Sequence, residues 1–415
     1  MTQTVSSTKV QKLDSAIYYA LLGLALSLNC SIAGVSIFLS ITFLLMLVRI
    51  YLKRDDLSLF KNIPSGFTAC LLAFILISFL SGLFGAHPLH STKNIINFYC
   101  IRLIPMVAVL LFIKDKSKLL TIVIAYFVGF TVDNLATLYN WGINTSSPSY
   151  HSNRAAGFLH IMSTAPLFAG SIPFLAISCI HYLKKGNCKL WIPTALALLI
   201  SVSALLLSGH RGSWLAVAIG LFIVLFLYLD IKKFLMIISI CSILVGGVFA
   251  SSPKLLDRAK TITVTDNSNK SNYARILVWK SAIAMWKDYP VLGVGISNFD
   301  EIYKKNYVHP EQQYILQNAH SNVIHYMAER GTLGALSFLA LWAYITLFSI
   351  KGWLRHRNLA YLGILSMYTG IMLHGLIGCN FDTAITARYM WTAFGVAFAW
   401  LGISQEDKTQ QEETI

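Results

Sequence analysis

The chain has 415 residues, of which 56% are hydrophobic and only 12% are charged, and its mean hydropathy is +0.62. Soluble domains carry about 25% charged residues, so the composition excludes a water-soluble protein of this size. The formal net charge of +15 does not indicate a nucleic-acid partner, because the basic residues stand between apolar stretches, as membrane topology signals do.

Apolar stretches of about the length of a membrane-spanning helix recur along the whole chain. About 20 apolar residues in a helix cross the ~30 Å of hydrocarbon, and a helix satisfies its own backbone hydrogen bonds in lipid. We therefore predict an all-α polytopic membrane protein with about twelve transmembrane helices, the first of them short for a crossing. The predicted spans are residues 16–28, 33–52, 67–85, 95–113, 119–141, 156–183, 190–207, 214–229, 234–250, 332–350, 359–379 and 389–403.

The loops between these spans predict their orientation. Alternate short loops hold clusters of basic residues, and the positive-inside rule makes the face that carries them cytoplasmic. We expect both termini on that face of the cell inner membrane, and no cleavable signal peptide. The long polar segment 252–330 then lies in the periplasm. Basic residues on the cytoplasmic face include Lys53, Lys116, Lys184, Lys232 and Lys351.

The chain is accordingly predicted to have four parts. Residues 1–251 hold transmembrane helices 1–9, and residues 252–330 form the large periplasmic loop that carries the catalytic residues. Residues 331–404 hold helices 10–12, and residues 405–415 form a disordered cytoplasmic tail. The seven cysteines include no C-x-x-C pair, so we interpret them as buried apolar residues rather than as a disulfide or metal framework.

Several arginines lie on the outer face of this predicted topology. Arginine in a short outer loop opposes insertion, so an arginine near the outer end of a span is a candidate for binding an anion. Any single one of them can instead snorkel to lipid phosphate groups. Their number around one compartment favours a site for a phosphorylated lipid. They are Arg154, Arg211, Arg275, Arg330 and Arg388.

Two polar motifs place arginines beside this compartment. Arg211 lies in a very short turn between two spans, residues 208–216, where Gly209 permits tight backbone geometry. Arg275 lies in a segment whose apolar residues follow one face of a helix, which is typical of an amphipathic helix at a membrane surface. Pro290 is expected to end that helix.

A third motif runs from His320 through Glu329 to Gly331. At these three segments, in this order, the sequence resembles the O-antigen ligase family of bacterial inner-membrane glycosyltransferases. That family also contains O-antigen polymerases and some protein O-oligosaccharyltransferases. Two positions depart from the family pattern: Ser321 separates the histidine from the asparagine that usually follows it, and His210 stands before the arginine of the turn.

The resemblance implies a GT-C-like fold with short amphipathic helices in the periplasmic loop. It also implies an enzyme that transfers a glycan from undecaprenyl diphosphate to an acceptor hydroxyl, which the ligases take from a lipid A–core sugar. The partners would be this donor, this acceptor and membrane lipid, with no nucleotide sugar, cofactor or metal ion.

The residue types fit that chemistry. Guanidinium groups bind phosphate oxygens bidentately, so we assign Arg211 and Arg275 to the charge that develops on the diphosphate. Histidine removes a hydroxyl proton near neutral pH, so we assign His320 as the general base of an inverting displacement. We predict that substrate is also bound by Arg154, Arg388, Trp279 and His325.

Each of these residues could instead have a structural role. His320 could cap the following helix, and His325 could be the base in its place. Arg275 could anchor its helix on anionic lipid, and the aromatic residues of the loop could pack together rather than stack on sugars. We interpret Glu329 as orienting a helix or pairing with Arg330.

Among the charged residues that fall within predicted spans are Arg102 and Asp133. Because charge is costly in lipid, we expect both to face the interior of the bundle, where they could pair with each other.

Other functions remain open besides ligation. An O-antigen polymerase would use the same donor and a lipid-linked glycan as acceptor, and a protein-glycosylating transferase would act on a polypeptide. A flippase or other transporter would also have about twelve spans. A transporter is disfavoured because the polar residues are concentrated in one loop rather than along a central cavity.

Overall fold

The computed structural model describes residues 2–52, 63–142 and 155–413. Of these described residues, 80% are helical and none is in a strand. This confirms the predicted all-α class. The helices are α1 (Thr2–Ser27), α2 (Ile32–Leu52), α3 (Ser65–Leu83), α4 (Pro88–Ile95), α5 (Ile104–Phe112), α6 (Lys116–Gly142), α7 (Ile161–Lys184), α8 (Cys188–Leu207), α9 (Arg211–Tyr228), α10 (Ile231–Ser251), α11 (Pro253–Lys260), α12 (Lys270–Asp288), α13 (Phe299–Ile302), α14 (Asn322–His356), α15 (Leu359–His374) and α16 (Ala384–Glu413), and π-helical turns follow α4 at Ile96–Ile101 and α13 at Tyr303–Tyr307.

Within the described ranges, nine helical segments are long and apolar enough to cross a membrane. They are α2, α3, the broken helix Pro88–Phe112, α6, α7, α8, α9, α10 and α14, and each overlaps a predicted span. The protein is therefore an integral membrane protein. The other predicted spans, 16–28, 359–379 and 389–403, overlap α1, α15 and α16, of which α15 is a shorter apolar helix. A total of twelve crossings remains a prediction.

Helix α7 packs against α8, α9 and α15. The backbones of α7 and α15 approach closely at Gly370, where a Cβ atom would lie 2.1 Å from the carbonyl oxygen of Ala169. Small residues allow this approach, which helices in lipid need because they associate through van der Waals contact. Helix α14 packs against both α3 and α15, so its polar first turns are held against the bundle.

An aromatic cluster surrounds Phe74 of α3, which is fully buried. Its ring lies 6.0 Å from that of Tyr99, 5.6 Å from that of Tyr326 and 5.9 Å from that of Phe381, measured between centroids. The rings are tilted or edge-to-face, the geometry that aromatic pairs prefer. The cluster thereby joins α3, the first π-helical turn, α14 and the segment before α16.

The segment between α10 and α14 contains α11, α12 and α13. The helix predicted around Arg275 is confirmed as α12, which ends at Asp288, shortly before Pro290. That this helix lies amphipathically on a membrane surface remains a prediction. The segment has a small apolar core of its own, shared with the start of α14. Helix α14 itself begins at Asn322 rather than at the predicted residue 332, so part of the predicted loop is helical. The core residues are Val278, Ala282, Met285, Val294, Phe299, Tyr303, Ala319 and Ala328.

Gly331 interrupts α14 with φ +66° and ψ −168°. The break deprives the carbonyls of Ala328 and Glu329 of their helical partners. These carbonyls instead accept the backbone N–H groups of Val294, at 3.0 Å, and Gly295, at 2.8 Å. The two N–H groups after the break donate to carbonyls of the same turn, at 2.8 and 3.4 Å. The turn of residues 290–295 therefore replaces the hydrogen bonds that α14 loses.

Arg102 and Asp133, which both lie inside predicted spans, do not pair with each other. Arg102 donates through Nη1 to the carbonyl oxygen of Asp382, and its guanidinium lies 4.2 Å from the centre of the Phe98 ring. Asp133 accepts a hydrogen bond from the backbone N–H of Phe158 at 2.8 Å. Both side chains are buried, as expected, but each has its own partners.

Helix α16 continues to Glu413, whereas a disordered tail was expected from residue 405. Asp407 forms a salt bridge of 2.6 Å with Lys116 at the start of α6. A helix that continues from an existing one needs no new nucleus, so polar residues after a span can remain helical.

Candidate functional site

The turn before α9 positions Arg211. Gly209 has φ +61°, a left-handed conformation that glycine adopts without strain. The Nδ1 atom of His210 accepts the backbone N–H of Ser213 at 3.2 Å and so caps α9. Arg211 is therefore the first residue of α9, at the helix end whose dipole favours anions.

The side chain of Arg211 is buried and reaches the segment between α10 and α14. Its Nη1 donates to Oγ1 of Thr261 at 2.8 Å, and its Nη2 donates to Oδ1 of Asn272 at 2.8 Å. Asn272 also donates to the carbonyl of Val264 at 2.8 Å, which holds the chain that precedes α12. These contacts join the start of α9 to the first turn of α12.

Arg275 lies three residues after Asn272 on α12, a spacing that places both on one helix face. Its guanidinium is half-buried and acts electrostatically on His320 and on His374. Since Asn272 holds Arg211, the same face of α12 serves both predicted phosphate-binding arginines. The structure therefore brings Arg211, Arg275 and His320 into one region.

His320 has φ +48°, an uncommon conformation for a residue with a side chain, although histidine adopts it more readily than most. Its backbone N–H donates to Oδ1 of Asn318 at 3.0 Å, and the preceding carbonyl, that of Ala319, accepts Nε1–H of Trp279 at 2.8 Å. Strained backbone of this kind costs about 1–3 kcal/mol and persists where the surroundings enforce it. Trp279 thus supports the segment that carries His320.

The pKa of His320 is lowered to about 4, mainly by burial and by smaller amounts through the positive charge of Arg275 and the nearby His325. The imidazole is therefore neutral at physiological pH and can accept a proton. Such a low pKa makes it a weak base in the free protein. A bound anion beside it would raise the pKa, because negative charge favours the protonated form.

Two further histidines extend this region, and the sequence analysis had not selected them as site residues. The rings of His210 and His374 stack with centroids 5.1 Å apart. Nδ1 of His374 lies 2.9 Å from Nδ2 of Asn380, and Asn380 is hydrogen-bonded to Asn322 at 2.8 Å. Asn322 begins α14, so this network ties the start of α14 to the end of α15. We name the region formed by Arg211, Arg275, His320, His210 and His374 the arginine–histidine cluster.

His325 and Glu329 form a second group one helical turn further along α14. Nε2 of His325 lies 3.5 Å from Oε2 of Glu329, and both side chains are nearly inaccessible. Glu329 also accepts the backbone N–H of Phe299 at 3.3 Å. The predicted pair between Glu329 and Arg330 is wrong, because Glu329 pairs with His325 instead.

Arg330 is fully buried and pairs with Asp382 at 2.5 Å. It also donates to the hydroxyl of Tyr99 at 3.0 Å, and its guanidinium lies 4.1 Å from the centre of the Tyr326 ring. Tyr326 in turn donates its hydroxyl to Asp382 at 2.9 Å. A buried charge needs both pairing and hydrogen bonds, and this group supplies them.

The remaining predicted substrate-binding residues differ in position. Arg154 lies outside the described residues. Arg388 is half-buried near the start of α16, where its charge acts on Arg102 close to Asp382. Asp382 had no sequence signal, because a single aspartate in a short loop does not reveal a partner about fifty residues away. In the described part of the chain, no group of three or more His, Cys, Asp or Glu residues is arranged to hold a metal ion.

A comparison with family models finds a match over residues 196–339, and the family is described as O-antigen ligase. This part of the chain is similar to O-antigen ligases. The match confirms the resemblance seen in the sequence, and its range includes Arg211, Arg275 and His320 together with His325 and Glu329. Asp382, His374 and Arg388 lie after the matched O-antigen ligase domain and reach its residues only through folding.

A curated relative matches a shorter part of the chain. It is an uncharacterized protein of Haemophilus influenzae, 25% identical over 182 residues, which cover 40% of this chain and 46% of the relative. The chain therefore spans less than half the length of this relative in the match. The matched residues 196–339 extend from α8 into α14 and include several of the helices that are long enough to cross a membrane.

Proposed function

We propose that the protein is an O-antigen ligase, which transfers an O-antigen glycan from undecaprenyl diphosphate to a hydroxyl of a lipid A–core sugar. The observation that carries the proposal is the convergence of Arg211, Arg275 and His320 within the matched domain. Arg211 is linked to α12 through Asn272 at 2.8 Å, and the charge of Arg275 acts on His320. Two guanidinium groups and one neutral imidazole are the groups that this reaction requires.

The arginines would bind the diphosphate. As the bond between the anomeric carbon and the diphosphate oxygen breaks, negative charge grows on the leaving group. Guanidinium donors placed in a partly dehydrated site stabilise that charge in the transition state. Arg211 lies at the N-terminus of α9, where the helix dipole also favours a bound anion. The contacts of Arg211 with Thr261 and Asn272 orient its two terminal nitrogen donors.

His320 would act as the general base. Its imidazole takes the proton of the acceptor hydroxyl, and the oxygen attacks the anomeric carbon from the face opposite the diphosphate. Undecaprenyl diphosphate leaves with the bonding electrons, and the anomeric configuration is inverted. A bound diphosphate would raise the pKa of His320 from about 4, which makes it a stronger base when donor is present.

The proposal includes a location in the cell. By the positive-inside rule, the basic loops predict that both termini lie in the cytoplasm, so the arginine–histidine cluster would be on the periplasmic side of the inner membrane. Undecaprenyl-linked donor and lipid A–core would then approach through the outer leaflet.

Purified protein in proteoliposomes, with lipid-linked glycan and rough lipopolysaccharide and without ATP, tests the proposal. Glycan joined to the core supports the ligase. Elongated lipid-linked glycan with no modified core would instead identify a polymerase, which uses the same donor chemistry. If neither product forms and glycan is moved across the membrane, the protein would be a transporter rather than a transferase.

A further inference from the structure

A cavity of about 220 Å³ lies beside the arginine–histidine cluster. It is bounded by the first π-helical turn, the α12–α13 connection, α14 and the loop before α16. Among its lining residues, Gln317 and Thr383 are exposed, so the cavity reaches the protein surface. We call it the His325 cavity. Its lining includes Phe98, Phe299, Asn318, His325, Glu329 and Asp382.

His325 is a buried polar group without a complete set of partners. Its Nε2 faces Glu329 at 3.5 Å, but its Nδ1 has no hydrogen-bond partner among the described residues. A buried polar atom of this kind costs free energy unless something satisfies it. Because His325 lines the cavity, a hydroxyl group bound there would lie beside its imidazole.

The other polar groups of the lining are also suited to hydroxyls. The carboxylates of Glu329 and Asp382 are strong acceptors, and the side-chain amide of Asn318 both donates and accepts. Phe98 and Phe299 contribute apolar ring surface. Carboxylates, an amide and aromatic rings together complement a sugar ring, which has hydroxyls at its rim and C–H groups on its faces.

The volume of the cavity limits the size of the ligand. A cavity of about 150 Å³ holds benzene, a six-membered ring without substituents, whereas sites for drug-sized ligands begin near roughly 300 Å³. A volume of about 220 Å³ therefore suits one six-membered ring with hydroxyl substituents rather than two.

The charge of the lining limits the ligand further. Asp382 is paired with Arg330 at 2.5 Å, whereas Glu329 is paired only with a histidine among the salt bridges of the described residues. The carboxylate of Glu329 thus keeps the cavity acidic, which repels anionic sugars and phosphate groups. An uncharged sugar is therefore favoured over an anionic one.

We propose that the His325 cavity binds one uncharged pyranose ring of a glycan substrate and holds it beside His320. The link to the base is Asn318, whose Oδ1 accepts the backbone N–H of His320 at 3.0 Å while the residue lines the cavity. The role in transfer rests on the proposed function. The ring can belong to the acceptor sugar or to the donor glycan, and both have the same binding chemistry.

Saturation-transfer difference NMR on the full-length protein in nanodiscs tests binding directly. The probes are methyl pyranosides of glucose, galactose, mannose and N-acetylglucosamine, with methyl glucuronide as the anionic counterpart. We expect at least one neutral pyranoside to bind, and methyl glucuronide to bind at least about tenfold more weakly. Glu329→Gln should weaken the neutral pyranoside about tenfold, the loss of one charge-assisted hydrogen bond.

A matched control removes a carboxylate elsewhere in the same segment. Asp257 is exposed on α11, where it pairs with Lys260, and Asp257→Asn should leave pyranoside binding unchanged. The proposal is overturned if no neutral pyranoside binds, if methyl glucuronide binds as well as its neutral counterpart, or if Glu329→Gln binds the pyranoside as wild type does.

Transfer kinetics separate the two sources of the ring and the two proposals. A higher KM for acceptor in Glu329→Gln assigns the ring to the acceptor, and a higher KM for donor assigns it to the donor; either supports the cavity. Unchanged KM values for both would remove the cavity from the reaction. If the wild-type protein binds pyranosides but transfers no glycan, the proposed function is wrong and the sugar site is supported. If it transfers glycan but binds no pyranoside, the proposed function is supported and the sugar site is wrong.

Discussion

Gly295 donates its backbone N–H to the carbonyl oxygen of Glu329 at 2.8 Å. This bond connects the turn after α12 to the residue that pairs with His325. It exists only because α14 breaks at Gly331 and frees the carbonyl of Glu329. The turn of residues 290–295 therefore acts on the site through backbone contact, and a side chain at Gly293 would collide with the backbone of α14 at Glu329.

Gly293→Ala is expected to destabilise the protein and to abolish transfer. A Cβ atom at Gly293, where φ is +69°, would lie 2.3 Å from the carbonyl carbon of Glu329. The left-handed conformation alone costs roughly 1–2 kcal/mol, and the clash adds to it. Thermal unfolding in detergent measures the effect. Gly247→Ala on α10, where no atom lies within 4 Å of the added Cβ, is the control and should leave the melting temperature unchanged or slightly higher.

Arg211→Lys and Arg275→Lys should each lower the transfer rate by about 10²–10³-fold, the effect of removing one preorganised donor from a developing anion. Lysine keeps the charge but loses the planar fork of donors. Initial rates with purified lipid-linked glycan measure this loss. Arg355 is exposed near the end of α14, and Arg355→Lys should transfer at the wild-type rate. Wild-type rates in either of the first two variants would exclude that arginine from the site.

His320→Asn should lower the transfer rate by about 10²–10⁴-fold, the usual contribution of a general base. Asparagine is chosen because it also tolerates positive φ, so the melting temperature should stay near that of wild type. If the variant unfolds instead, His320→Gly preserves the backbone conformation and gives a second reading. Retained activity in a folded variant would favour His325 as the base.

The pH dependence of transfer tests the electrostatic state of His320. Its pKa is lowered to about 4, so the proton-free form exists above pH 4 and is lost as the pH falls through that value. We expect kcat/KM, which reports the free enzyme, to fall only near pH 4. The acidic limb of kcat should lie higher, because bound diphosphate raises the pKa. An acidic limb of kcat/KM near 6.5, the ordinary value for histidine, would contradict the burial of this group.

Asp382→Asn should be strongly destabilising. Arg330 is fully buried and depends on Asp382 for its charge partner, and breaking a buried pair from one side costs about 3–5 kcal/mol. The melting temperature in detergent should therefore fall well below that of wild type. Asp230→Asn is the control, because Asp230 pairs with Lys233 at 2.6 Å with both side chains exposed, and an exposed pair contributes little. Similar melting temperatures for the two variants would contradict a structural role for Asp382.

Cysteine labelling in whole cells tests the orientation. Cys188 is exposed at the start of α8, next to a predicted cytoplasmic loop, and Asn267 is exposed between α11 and α12. A membrane-impermeant maleimide should label Asn267→Cys in intact cells and reach Cys188 only after lysis. Both measurements use a background in which the other cysteines are replaced by serine. Labelling with the opposite preference would invert the topology and place the arginine–histidine cluster in the cytoplasm.

The positions of most helices could be predicted from the sequence because lipid imposes a local rule. A segment in hydrocarbon must satisfy its own backbone and expose apolar side chains, so each span is visible in its own residues. The boundaries were less certain at α14, where the polar residues 322–330 are helical although they resemble a loop. The end of this helical stretch is hydrogen-bonded by the turn of residues 290–295, a contact that no local pattern in α14 reveals.

The residue types of the candidate site were also visible in the sequence. Arg211, Arg275 and His320 stand in polar motifs that interrupt or border apolar stretches, and their chemistry suggested phosphate binding and proton transfer. The sequence did not reveal that His210 stacks on His374, or that Glu329 pairs with His325 while Arg330 pairs with Asp382. A pair of adjacent residues such as Glu329 and Arg330 suggests a local contact that the helix does not make.

By itself, the sequence determined that this is a helical membrane protein and which polar residues stand in its motifs, because hydropathy and residue type are local properties. Only the tertiary structure decided how those residues are grouped into an arginine–histidine cluster and an adjacent acidic cavity. The physical reason is that successive residues of a helix point about 100° apart, so which of them meet depends on the neighbouring helix. That neighbour can come from anywhere in the chain.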